Sequence, residues 1–336
     1  MVQEKKRLTL NDVARYAGVS RSTASLVVRG SDKITKETSE KVHRAMRELG
    51  YVYDRMAANM RSQKSNTVGM IITDVGNPFY TDFLKGVHTS LEEAGYTTFL
   101  GTTYDSDEKQ RELIARMLEH RVVGMILCPV STISQETLDL INMIDIPTVV
   151  AVREYKEIVH DYVGIDYVAG AELAVNHLIA RGHENIAFVG GASSSIAWQK
   201  RFEGYALALQ KAKLPLHPEL IFETAITREG GKLAVGKIFM AQKRPTAIFT
   251  FNDLIGQGVM IGLQEIGIQV GKDIAVVGFD NTAESAWYSP PLTTISAFAM
   301  KLGNEAAKLL HERILQPVQE QRKSIFQPEI VVRQSS

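Results

Sequence analysis

Residues 9–30, TLNDVARYAGVSRSTASLVVRG, decide how the rest of the chain is read. Leu10, Val13, Ala14 and Ala17 fall on one face at helical spacing, and Thr9 can cap that helix. Gly18 ends it and Val19 adds an apolar contact. Ser20 is a good cap for a second helix, Arg21 to Val28, with Ala24, Val27 and Val28 facing inward. Two short helices joined by a glycine turn of about three residues form a helix-turn-helix pattern. Gly30, Ser31 and Asp32 read as a loop. Thr35 caps a third helix that reaches Leu49, apolar at Val42, Ala45, Met46 and Leu49 and closed by Gly50.

The first turn of the second helix of such a unit can enter a DNA major groove, where side chains meet base edges. Arg21 and Ser22 stand there. Thr23, Ser25, Arg29, Lys33 and Thr35 are of the type that holds phosphates, and Thr9 is a further candidate for DNA contact. Charge agrees. The whole chain is formally neutral, but residues 1–64 carry a net +7 and the remaining 272 a net −7. A basic head on an acidic body is what a phosphate-binding module joined to something else looks like. A three-helix bundle with no ligand is the plainer alternative, and the exposed polar second helix favours DNA.

Residues 51–64, YVYDRMAANMRSQK, form a linker. Asp54 can cap a helix over residues 55–61, too short to be stable alone in water. Met60, flanked by Arg55 and Arg61, could wedge a base step in the minor groove while the arginines meet phosphates. On physical grounds alone an ordinary flexible tether with Met60 packed locally is the better reading.

Beyond residue 66 the text changes. Apolar runs begin near 68 (VGMIIT), 97 (TTFLGT), 123 (VGMILC) and 147 (PTVVAV), then near 186 (IAFVGG), 220 (LIFE), 247 (AIFTFN) and 274 (IAVVGF). Within each of these two series the intervals, 24 to 34 residues, leave room for a strand and a crossover helix. This predicts an α/β body of two doubly wound parallel-sheet units. Ligands of such units sit beyond the carboxyl ends of the strands. The polar residues there are Asp74 with residues 77–80 (NPFY), Arg153, Ser193 to Ser195, Asn252 with Asp253, and Asp280 with Asn281. Trp198 and Arg201 follow at the start of a helix. Carboxylates, amides, a guanidinium and aromatic faces together suit a hydroxyl-rich ligand such as a sugar. Each Asp or Asn alone reads better as a helix cap; their convergence at one sheet edge is the signal.

The remaining composition narrows the classes. The chain has 336 residues, 45% hydrophobic and 23% charged, enough for two or three domains. A single cysteine, Cys128, excludes an intramolecular disulfide and a cysteine-based zinc site. No apolar run reaches ~18 residues, so no membrane span is expected. The first residues lead into polar text and not into an apolar signal core, which predicts a cytoplasmic protein. No Walker, nucleophile-elbow, zinc-protease or dinucleotide motif occurs, and the histidines lack metal-ligand spacing. No enzyme activity, metal or cofactor is expected. A sugar-binding transport protein or a sugar-active enzyme could share the body. The first would lack residues 1–64, and the second would need an acid/base pair or phosphate loop.

The head stretch resembles the LacI/GalR family of bacterial transcription regulators. DVGNPFY, RGHENIAFVGG, RFEGY, FTFND, VVGFDN and PPLTTI extend that resemblance through nearly the whole chain, in order. Within the family, GGASSS and VREYKEIVHDYV look most like repressors of the maltose regulon. The resemblance implies a helix-turn-helix over 1–53, a hinge helix over 54–65, and an effector-binding and dimerisation body over 66–336. That body would be like periplasmic sugar-binding proteins, with lobes near 66–163 plus 294–322 and 164–293 plus 323–336. It also implies base reading by Arg21, Ser22 and Leu26, a minor-groove wedge at Met60, and effector contacts from Asp74, Phe79, Arg153, Arg201, Asn252 and Asp280. The expected protein is a repressor on nucleoid DNA, a dimer at least and a tetramer in some members, bound to a palindromic operator and switched by a small molecule. Val52-Tyr53-Asp54 departs from the family's usual apolar-Pro-Asn, and Asp54 is better placed as a cap than against phosphate.

Overall fold

The computed structural model describes residues 8–28, 31–52, 65–317 and 320–336, and the chain separates into two compact units, Met1–Ser65 and Asn66–Ser336. Arg29, Asp54, Arg55, Met60 and Arg61, and with them the expected hinge helix, lie outside the described residues.

The first unit is built from α1 (Leu10–Tyr16), α2 (Arg21–Val28) and α3 (Lys36–Leu49). Val13, Ala14, Ala24, Val27, Val42 and Ala45 are buried together, with Leu10, Ala17, Val19, Met46 and Leu49 packed against them. The core is that of the sequence pattern, except that Val28 is only partly buried and stands outside the cluster. Gly18 takes φ 67° in the turn between α1 and α2, a backbone conformation open to glycine at no cost. Ser20 caps α2 by accepting from the Thr23 amide at 3.1 Å, and Thr35 caps α3 by accepting from Thr38 at 3.3 Å. At α1 the Thr9 hydroxyl instead donates to the Asp12 carboxylate at 2.7 Å, and the Thr9 amide meets the same oxygen at 2.9 Å.

The body contains two six-stranded sheets. The first lobe runs β1 (Thr67–Ile72), α4 (Pro78–Glu93), β2 (Thr97–Thr102), α5 (Asp107–Glu119), β3 (Gly124–Leu127), α6 (Gln135–Asn142), β4 (Thr148–Ala151) and β5 (Asp161–Ile165). The second runs α7 (Tyr167–Ala180), β6 (Ile186–Val189), α8 (Ile196–Lys211), β7 (Ile221–Phe222), α9 (Arg228–Met240), β8 (Ala247–Thr250), α10 (Asp253–Glu265), β9 (Ala275–Asp280) and β10 (Thr293–Ser296). The chain then returns with α11 (Ala299–Leu315) and β11 (Lys323–Phe326) to the first sheet and ends with β12 (Glu329–Val331) in the second. Strand orders are β11-β5-β4-β3-β1-β2 and β12-β10-β9-β8-β6-β7, parallel throughout except for β12.

This revises the expected lobe boundaries. β5 keeps the first lobe going to Ile165, β10 belongs to the second sheet, and β11 belongs to the first. The strands that carry these crossings are short and partly polar, so apolar runs do not mark them. β5 begins at Asp161, whose carboxylate is held by Arg313 of α11 through two bonds of 2.9 and 2.7 Å. That buried, bidentate pair ties the returning helix to β5, the strand on which β11 then pairs. Helices α4 and α11 approach closely because Gly86 faces the backbone of Met300 and Gly303 that of Phe83; a Cβ at either would collide.

Candidate functional site

On the head, α2 presents Arg21 and Ser22 to solvent at its first turn, with Leu26 exposed one turn further on. Arg21 has no hydrogen bond or ion pair among the described residues. Ser22 and Thr23 hydroxyls both meet the Ser20 hydroxyl, at 2.7 and 2.8 Å, so the start of α2 carries a small hydroxyl cluster beside a free guanidinium. Ser25 is half-buried, and Lys33 and Thr35 are exposed in the loop before α3.

In the body, the carboxyl ends of the strands of both sheets line one cavity of about 390 Å³. That lies in the range of small-ligand pockets. Asp74, Phe79, Arg153, Arg201, Asn252 and Asp280 all line it, as the strand-end reading placed them. Trp198 does not. It stands behind the wall, its ring stacked on Phe202 at 4.7 Å, and Phe251 supplies the aromatic face in its place. Of the serine run, Ser195 lines the cavity and caps α8 through the Trp198 amide at 3.1 Å.

The floor is built around Arg201. Its guanidinium carbon lies 4.3 to 4.4 Å from the ring centres of Tyr167, Phe251 and Phe279. It donates to the Ala197 carbonyl at 3.2 Å and faces Asp280 at 3.8 Å, and its Nε has no hydrogen-bond partner among the described residues. Burial pushes the Asp280 carboxyl well above its ordinary range, only partly offset by Arg201 and reinforced by Asp253. Burial also lowers Arg201, which remains a cation all the same.

Arg153 is held differently. It donates to Asp105 at 2.7 Å and to the Pro129 carbonyl at 2.8 Å. Burial alone would raise Asp105, but Arg153 and the Ser131 hydrogen bonds outweigh it and hold the carboxyl below its ordinary range. The turn that aims Arg153 is strained: Val152 has φ 72°, and the Arg153 amide donates to the Ala151 carbonyl at 2.8 Å, closing a γ-turn. Tyr104 (φ 48°), Asp105 (φ 61°) and Asp280 (φ 114°) are also left-handed and also line the cavity. Strain gathered at one cavity is the mark of a functional site.

Helix caps and ligand-facing groups coincide here. Asn252 accepts from the Ile255 amide at 3.1 Å, leaving its side-chain amide protons for the cavity. Asn77 likewise caps α4 by accepting from Phe79 at 3.0 Å, and Asp74 accepts from Gly76 at 2.8 Å with its second oxygen spare. Sequence reasoning missed Tyr104, Asp105, Ser131, Tyr167 and Phe251. The strand-end rule applied to β2, as it was to β1, points to the first two. Asp253, expected beside Asn252, turns inward and does not line the cavity. Among the described residues no acidic, histidine or cysteine cluster is arranged for a metal, and no helix is long and apolar enough to cross a membrane.

Comparison with known proteins covers both units. Residues 9–54 match the family model described as bacterial regulatory proteins, lacI family, and residues 175–336 match a periplasmic binding protein-like domain. The chain is 36% identical over 327 residues, 97% of each chain, to the HTH-type transcriptional repressor PurR of Vibrio parahaemolyticus serotype O3:K6. It is similar in structure to the Lac repressor dimer bound to operator and the anti-inducer ONPF, with TM-score 0.85 and 26% identity over 98% of this chain and 99% of that one. It is also similar to the transcriptional regulator CelR in its cellobiose complex, with TM-score 0.75 and 29% identity over 98% of this chain and all of that one. An exposed recognition helix on a basic head, and a ligand cavity at the strand ends of a two-lobed body, are thus found together in one chain that belongs to the lacI family of bacterial regulatory proteins, DNA-binding regulators of transcription.

Proposed function

We propose that the protein represses transcription by binding a two-fold symmetric operator as a dimer, and that a sugar held in the body cavity switches that binding. Arg21, Ser22 and Leu26 read bases in the major groove. Thr9, Thr23, Ser25, Arg29, Lys33, Thr35 and Arg55 hold phosphates, and Met60 enters the minor groove. Its place of action is the nucleoid in the cytoplasm. The edge strand β2 supports a dimer: Phe99 and Leu100 are exposed on it, and an apolar sheet edge invites a second copy.

The observation that carries the ligand reading is the Arg201–Asp280 pair, set on three aromatic rings with most of its bonding capacity unspent. A vicinal diol can accept from the guanidinium and donate to the carboxylate at once, with Asn252, Asp74 and Arg153 meeting further hydroxyls. Phe79 and Phe251 face the apolar side of the ring. The likeness to a regulator bound to cellobiose points the same way.

A thermal-shift panel of maltose, cellobiose, ribose and adenine tests it. A ligand at 100 times its dissociation constant adds ~2.7 kcal/mol, so a saturable shift with one of the sugars is expected, together with altered operator affinity. Stabilisation by adenine and by none of the sugars would replace the sugar with a flat heterocycle.

A further inference from the structure

Asp253 is fully buried, forms no ion pair among the described residues, and does not line the cavity. A carboxylate so placed is costly. Its oxygens are nevertheless fully employed. One accepts from the Thr282 amide at 2.8 Å and the Thr282 hydroxyl at 3.2 Å; the other accepts from the Thr294 hydroxyl of β10. The Thr294 oxygen in turn accepts from the Asn281 amide at 3.3 Å. On β9, Gly278 leaves the room: a Cβ there would collide with the Asp253 carboxylate. Asp253 is thus bound to the residues that follow Asp280, while its chain neighbour is Asn252. Thr250 steadies that neighbour by donating to the Asn252 carbonyl at 3.0 Å.

The corner gripped in this way is strained. Asp280 and Asn281 have φ values of 114° and 54°, backbone conformations that a residue with a side chain keeps only where the surroundings enforce them.

We infer that Asp253 is a positioning residue of the ligand cavity: through Thr282 and Thr294 it clamps the corner that carries Asp280 to the helix start that carries Asn252, without touching the ligand. Only the identity of the ligand rests on the sugar reading above. Burial lifts the Asp253 carboxyl to about 7, and Thr294, Thr282 and Arg333 hold it down. The ionisable groups that face it are Arg333 after β12, Asp280 at the end of β9 and Tyr288 in the loop before β10.

The test uses the full chain and the variants Asp253→Asn, Thr294→Val and Thr294→Ser. Amide hydrogen exchange without ligand reads the clamp directly, and titration with maltose, cellobiose and ribose reads its effect on binding. For Asp253→Asn and Thr294→Val, exchange at residues 280–283 should rise about tenfold, as expected for loss of one hydrogen bond to a charged group, with β1 and β3 unchanged. The sugar that binds wild type should bind each of these about tenfold more weakly. Thr294→Ser keeps the hydroxyl and should behave as wild type. Unchanged exchange at the corner, or exchange raised throughout the second lobe, would overturn the clamp, as would undiminished sugar affinity. If no sugar binds wild type, the sugar reading fails while the exchange data still decide the clamp. If Asp253→Asn does not fold, the Thr294 pair carries both readouts.

Discussion

Arg201 and Asp280 stand 3.8 Å apart at the cavity floor, close enough for attraction between charges and too far for a hydrogen bond. In most buried Arg–carboxylate pairs two short bonds satisfy both groups, as Arg313 and Asp161 do elsewhere in this body. The contrast separates a pair that holds the fold from a pair whose bonding capacity is left for a ligand. Three aromatic faces around Arg201 keep its plane fixed without consuming its donors.

Asp280→Ala should therefore abolish sugar-induced stabilisation while leaving operator binding by the ligand-free protein intact. Arg201, left buried without its counter-ion, should make the variant less stable by ~3–5 kcal/mol. Arg201→Lys should weaken sugar binding nearly as much, because an ammonium keeps the charge but loses the planar fork and the stacking. Thermal shift with the cognate sugar checks both. Undiminished stabilisation of an Asp280→Ala, Arg201→Ala double variant would place the ligand elsewhere.

The turn at Val152 gives a second test. A β-branched residue at φ 72° carries strain of order 1–3 kcal/mol, comparable with what a buried Val side chain contributes. Val152→Gly should exchange one for the other and change stability by about 1 kcal/mol or less, while Arg153 becomes less well aimed and ligand affinity falls. Val150→Gly, also buried but in regular strand β4, should cost the full amount of a lost core side chain plus glycine's backbone entropy, ~2–4 kcal/mol. Equal losses in urea unfolding would mean that the turn stores no strain.

The helix-turn-helix and most of the α/β body are legible in the sequence because their signals are local. Val13, Ala14, Ala24, Val27, Val42 and Ala45 lie at helical spacing, and buried parallel strands such as Met70–Ile72 within β1 are continuous apolar runs. β5, β10, β11 and β12 escape this reading. Asp161 in β5 is buried only because Arg313 reaches it from 152 positions away, and β11 is partly exposed. At the cavity, residues at the ends of the apolar strands are found from sequence. Tyr104 and Asp105 read as a polar turn, and only the folded chain brings Arg153 against Asp105. Trp198 fails for the opposite reason: it begins a helix at the cavity, but its ring turns back onto Phe202.

Asp253 sets a pH dependence whose sign follows from its displacement. Its carboxyl is raised to about 7 in the fold against ~3.9 unfolded, so between those values the folded state binds the extra proton. Stability from this group is complete at low pH and is lost as pH rises through about 7. Asparagine does not titrate, so the stability of wild type relative to Asp253→Asn should fall between pH 4.5 and 8, by a few kcal/mol at most. Urea unfolding at the two pH values measures it. A difference that grows in favour of wild type with rising pH would show that the donors outweigh burial and hold the carboxyl below its ordinary value.

Arg21 provides the test of DNA reading. Its guanidinium stands exposed at the first turn of α2 with no partner among the described residues, and the neighbouring Ser20, Ser22 and Thr23 hydroxyls are bonded to one another. A guanidinium free at that position can approach guanine O6 and N7 together, which a phosphate contact does not require. Arg21→Ala should cost ~1–3 kcal/mol on the preferred operator and much less on random DNA, relaxing specificity at one base pair in each half-site. Lys33→Ala should instead weaken both nearly equally and lower the salt dependence by about one counterion. Binding titrations on operator and random duplexes at 50 and 200 mM salt, the interval over which phosphate contacts change affinity most visibly, distinguish the two residues. Equal losses for Arg21→Ala on both duplexes would reassign Arg21 to the backbone. Base reading would then rest on Ser22 and Leu26, the other exposed side chains of the same helix face.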